Sequence, residues 1–142
     1  MLVGVAAAPG FADPSQSGRI KGSGRSASVA YFTVQVREDK PERGRLDYTS
    51  SDGRIKVRCD GFDSYSRRMY IVPGPPAAMV TADDCKLTGP RNKRTAVDVE
   101  AEFVDNSSFK RGAKDEANFT FTLPDGTVTD TGRILSGDIT VQ

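Results

Sequence analysis

The stretch Asp105-Asn106-Ser107-Ser108, followed after a short interval by Lys114-Asp115-Glu116, is the most oxygen-rich part of the chain and the first place to look for chemistry. Hard cations such as calcium take carboxylate and carbonyl oxygens from loops. Asp105, Asn106 and Asp115 are therefore the candidate metal ligands, and calcium the one cofactor worth naming. The spacing is not that of an EF-hand, and Lys110, Arg111 and Lys114 bring positive charge into the same loop. A second set of acids, Asp83, Asp84, Asp98 and Glu100, contains the residue types of a glycosidase carboxylate pair. The chain has no Trp to line a sugar subsite, and the surface reading of each acid is preferred. Arg67, Arg68 and Tyr70, beside Tyr65, form a small basic and aromatic patch of the type used on single strands or polyanions. Twenty Lys and Arg against 19 Asp and Glu leave a net charge of +1, so no long-range field gathers phosphate backbones. Nucleic acid is not an expected partner.

Histidine is absent from the 142 residues. That removes Ser-His-Asp and Cys-His couples, imidazole metal ligands and the ordinary neutral-pH base. No catalytic residue is assigned and no enzymatic activity is expected. The whole thiol inventory is Cys59 and Cys85, in no metal-ligand spacing. In an oxidising compartment they would pair across 26 residues and contribute roughly 3 to 4 kcal/mol in the loop-entropy model. Residues 1–12 are apolar and end in the small-x-small sequence Gly10-Phe11-Ala12, which reads as the remnant of a signal peptide, although a positively charged start is missing. This points to secretion, to the cell exterior as location, and to the disulfide. Residues 13–26, rich in Gly and Ser, read as a flexible lead-in to a single domain over 27–142.

Within that domain the apolar period is two. Ala30, Phe32, Val34 and Val36 alternate with Tyr31, Thr33, Gln35 and Arg37, which predicts a strand with one buried face. Leu46 and Tyr48 mark a second, and Asp52-Gly53 a tight turn into a third, where Ile55, Val57 and Cys59 share a face. Met69 to Val72 reads as strand before the loop Pro73-Gly74-Pro75-Pro76, and Ala78 to Leu87 as another strand, carrying Cys85. Thr95, Val97, Val99, Ala101 and Phe103 then face one way, with Asp98, Glu100 and Glu102 making an acidic outer ladder. Phe119, Phe121 and Leu123, a turn at Pro124 to Thr127, and a closing strand with Ile139 and Val141 complete the pattern. The fold class is all-β, one antiparallel domain of seven to nine strands. A meander barrel is favoured over a two-sheet sandwich.

The order of these segments resembles the post-COAP family, small domains of secreted bacterial proteins. The residues that carry it are Ala30-Tyr31-Phe32-Thr33-Val34, Gly44-Arg45-Leu46-Asp47-Tyr48, Lys56-Val57, Val104-Asp105-Asn106, Asp115 to Phe121 and Leu135-Ser136-Gly137-Asp138-Ile139. The family's usual histidines are replaced here by Thr49 and Ser50, Arg58 and Gln142. The resemblance implies an exported all-β accessory domain and favours Asp105, Asn106 and Asp115 as its loop set. The expected function is thus a secreted, non-catalytic binding or accessory module. A carrier of a small apolar ligand inside a barrel and a calcium-dependent interaction domain are the alternatives. The expected partner is an extracellular protein or small ligand, the expected state a monomer, and membrane insertion is not expected.

Overall fold

The computed structural model describes residues 17–68, 74–90 and 93–142. Its ten strands are β1 (Arg19–Arg25), β2 (Tyr31–Arg37), β3 (Arg45–Thr49), β4 (Lys56–Asp60), β5 (Ser64–Arg68), β6 (Ala77–Thr88), β7 (Arg94–Val104), β8 (Glu116–Leu123), β9 (Gly126–Asp130) and β10 (Ser136–Val141). They form one antiparallel sheet in the order β10-β1-β2-β3-β4-β6-β7-β8-β9, with β5 beside β4 along the same edge of the long β6. The sheet curls into a half-barrel. One four-residue helical turn, α1 (Asn106–Phe109), follows β7.

Alternation explains most of this. In β2 the exposures alternate strictly, with Phe32, Val34 and Val36 buried, and the same holds for Val97, Val99, Ala101 and Phe103 in β7 and for Ala117, Phe119 and Phe121 in β8. The inward rings meet across the curl. Phe32 lies 5.4 Å from Phe119 and 6.3 Å from Phe103 between centroids, and Tyr48 packs edge-on against Phe119 and Phe121. Each such side chain, removed from water, contributes on the order of 2 kcal/mol. The half-barrel is therefore filled by its own side chains, with Ile20, Leu46 and Ile139 also fully buried among them.

Two sequence readings need correction. Residues 19–25 are not a lead-in but β1, paired on one side with β2 and on the other with β10, which brings the count to ten. The glycines that suggest a linker are required by the close approach of β1 to β10: a Cβ at Gly22 would fall 2.6 Å from the Asp138 carbonyl oxygen, and one at Gly24 would overlap the Ser136 carbonyl. Ile55 precedes β4 in the turn and is 41% exposed, so only Val57 and Cys59 of that trio point inward. β10 is a terminal strand of the sheet, paired along one side with β1. The expectations placed on residues 1–16, on Met69 to Pro73 and on Tyr70 lie outside the described residues.

Candidate functional site

Asp105 and Asp115 are brought together, as acceptors of the fold. Asp105 caps α1, taking the Ser108 N–H at 3.1 Å, the Ser107 and Ser108 hydroxyls, and the Val141 N–H at 3.1 Å. Asp115 takes the Ser107 and Ile139 N–H groups, each at 2.9 Å. Asn106 turns its amide N–H to the Lys114 carbonyl. Ile139 and Val141 are alternate residues of β10, so their N–H groups point to the same side, away from β1. Two buried carboxylates thus cover the outer edge of the last strand. A cation at this place would meet N–H and O–H hydrogens instead of lone pairs. Among the described residues no group of three or more His, Cys, Asp or Glu is arranged to hold a metal ion. Asp105, Asn106 and Asp115, the residues expected to bind calcium, serve in the structure as hydrogen-bond partners that hold the loop and β10.

A third buried carboxylate escapes sequence reading. Asp130 accepts the Tyr48 hydroxyl at 2.7 Å, the Ser26 hydroxyl and the Ser28 N–H, and it is 3% exposed. Burial, then the hydrogen bond and charge of Asp130, push the Tyr48 phenol far above its ordinary value. Its partners are 82 and 104 residues distant, so no local motif announces it. The proposed acid pair residues sit on the surface. Asp83 and Asp84 occupy a bulge in β6, where the register slips between Ala82 and Cys85, and Asp98 accepts the Asp84 N–H. Neighbouring charges of Asp98 and Asp63 raise the Asp83 carboxyl. Arg67 pairs with Glu38, holding that carboxyl below its usual range, and Tyr65 is pushed up to about 12 chiefly by burial.

Cys59 and Cys85 are disulfide-bonded, with Cα atoms 4.7 Å apart, and the bond extends a β4–β6 ladder only three rungs long: Lys56 with Thr88, Val57 with Leu87, Arg58 with Lys86. Arg58 and Lys86 are thus like charges placed directly opposite one another, an arrangement that costs stability. The outward residues of neighbouring strands continue the pattern. One row runs Asp138, Ser23, Thr33, Asp47, Arg58, Lys86; the next runs Ser136, Arg25, Tyr31, Thr49, Lys56, Thr88, Arg94. Arg45 is paired with Asp47 and Arg58 with Asp60, exposed pairs worth at most about 1 kcal/mol each. Lys21, Lys56, Lys86 and Arg94 have no ion-pair partner among the described residues.

This outer face is indented. A depression of ≈ 550 Å³ is lined by Thr49, Lys56, Arg58, Lys86, Thr88 and Arg94 among others. It shares Asp47 and Thr49 with a second, lined by Arg25, Tyr31 and Thr33, which shares Ser23 and Thr33 with a third, lined by Lys21, Gln35 and Arg45. From β7 to β1 the track crosses five inter-strand steps, about 24 Å at roughly 4.8 Å each. Its lining offers cationic groups beside hydroxyls and carboxylates, donors and acceptors of hydrogen bonds on one surface. The outward positions of the strands carried the signal, but net charge hid it, because the acids gather elsewhere, on the outer face of β7 at Asp98, Glu100 and Glu102 and on the β6 bulge. Comparison of the chain with models of known families, with curated proteins and with solved structures finds no match.

Proposed function

We propose that the chain is an exported, non-catalytic binding module that takes its ligand on the outer face of β1 to β4 and the adjoining end of β6. The observation that carries this reading is the continuous track of depressions on that face, set against an interior already filled by aromatic and aliphatic side chains. Export is supported by the Cys59–Cys85 disulfide, which fits an oxidising compartment. Among the described residues no helix is long and apolar enough to cross a membrane. The resemblance to post-COAP domains, as an expectation, points to the same class, and the module is read as a monomer.

The test is an amide chemical-shift titration of the isotopically labelled full chain with heparin, polygalacturonate and dextran in turn. At least one chain is expected to move the resonances of outward residues such as Thr33, Thr49 and Lys56, with Phe32 and Phe119 unmoved. No movement with any of the three, or movement confined to the interior, overturns the reading.

A further inference from the structure

The β4–β6 corner of the outer face combines two features that a merely soluble surface does not need. Two cations stand directly opposite each other across a short ladder, and two more, Lys56 and Arg94, flank them without an ion-pair partner among the described residues. Like charges opposed across strands repel. A second strand pairing so short has few backbone bonds to offset that repulsion. We infer that this corner is a binding site for tetrahedral oxyanion esters, sulfate or phosphate, carried on an extended glycan, an inference that rests on the outer-face reading above.

Four observations select this ligand. Lys56 and Arg58 are alternate residues on one face of β4, and Lys86 stands opposite Arg58, so three cationic groups from two strands converge on one small area. A tetrahedral ester presents three oxygens that such a triangle can share, whereas a carboxylate presents two. The walls beside the cations are hydroxyls and carboxylates, Thr49, Thr88, Asp47 and Asp60, which accept hydrogen bonds from sugar hydroxyls and would repel an uninterrupted polyphosphate. Single-stranded nucleic acid needs free aromatic platforms. Among the described residues the one exposed ring on this face, Tyr31, is already covered by the Arg25 guanidinium at 4.3 Å. The length of the track, running on toward Lys21 and Arg45, suits a chain rather than a single monosaccharide.

The experiment is calorimetric titration of the full chain at low salt with a heparin oligosaccharide, a phosphomannan, polygalacturonate, dextran and an oligothymidylate. One or both ester-bearing glycans should bind at least tenfold more tightly than polygalacturonate and the oligothymidylate, with affinity falling steeply as salt is added. Lys56→Gln combined with Lys86→Gln should weaken that binding at least tenfold, and Glu100→Gln, farther along β7 in the acidic row, should leave it unchanged. Both lysines are exposed, and an unaltered circular dichroism spectrum checks that the variant folds. Equal binding by polygalacturonate or oligothymidylate, indifference to the lysine changes, or no binding of either ester-bearing glycan overturns the inference. If dextran or polygalacturonate binds the outer face while the esters do not, the binding-module reading survives and only the ester site falls. If none of the probes binds, both fall.

Discussion

The half-barrel is held at two places where charged side chains meet strand edges, and the two use charge in opposite ways. At the edge of β10, the carboxylates of Asp105 and Asp115 are buried and their oxygens are occupied by backbone N–H and serine donors. At the joint of β4 with β6, Arg58 faces Lys86 at the surface, and a disulfide lies one rung away. The first arrangement spends its charge inside the protein, so it reads as architecture. The second leaves Lys56, Lys86 and Arg94 without ion-pair partners among the described residues, with Arg58 paired to Asp60, while a covalent bond keeps the strands together, so it reads as a surface held ready for something of opposite sign. A charged residue is informative about function when its partners are missing, and about folding when they are all present.

The sharpest way to break this contrast is at the disulfide. Replacing both Cys59 and Cys85 by alanine removes a cross-link over 26 residues and should cost roughly 3.5 kcal/mol. Because the joint's cations repel, the loss should be larger at about 0.01 M than at about 1 M ionic strength, where the screening length shrinks from ~30 to ~3 Å. Urea midpoints for wild type and variant at both salt concentrations check it, and equal losses would show that the cations exert no stress on the joint. Next in size is Asp105→Ala, which strips the cap from α1 and leaves the buried Val141 N–H without its acceptor. A loss of about 3 kcal/mol is expected. Its donors are neutral N–H and O–H groups, so this loss should be nearly independent of salt. A strongly salt-dependent Asp105→Ala effect would erase the distinction between the two places.

Sequence periodicity was a good guide wherever one face of a strand is buried and the other wet, as in Phe32-Val34-Val36 and Val97-Val99-Ala101-Phe103. It identified the all-β class, the turn at Asp52-Gly53 and the inward direction of Cys59 for that reason. It failed where backbone proximity, not side-chain burial, sets the residue type. Gly22 and Gly24 look like linker residues in a string of letters, yet they are glycine because β10 passes too close for a Cβ. The oxygen-rich loop was visible as a cluster, but its meaning was not: a carboxylate that will cap a helix and one that will bind a cation are the same letter, and the deciding donors, Ile139 and Val141, come from 24 and 36 residues away. The basic face was the least legible. Its cations are single outward letters on β1, β3, β4, β6 and β7, and only strand order and register assemble them.

Asp138 lies on the boundary between these two regions and gives the smallest and most discriminating test. It borders the depression that contains Lys21 and Arg45, while its carboxyl also meets Ser107 and the Asp115 side of the β10 edge. Partial burial, then the hydrogen bond and charge of Asp115 and the charge of Asp105, raise its carboxyl above the ordinary 3.8. A carboxyl whose folded-state value is raised binds its proton more tightly in the native protein than in the unfolded chain. The associated stability is therefore present below about pH 3.8 and is lost as pH rises through the higher native value. Asp138→Asn, neutral throughout, should match wild type at the acid end and exceed it at neutral pH. Solvent screening of this exposed group holds the gain under about 1 kcal/mol. Thermal midpoints of both proteins from pH 3 upward, about one unit apart, would follow the divergence. If the variant is instead less stable at neutral pH, Asp138 is attracted to the lysine and arginine side more than it is repelled by Asp115, and the boundary between the two regions lies on the other side of β10.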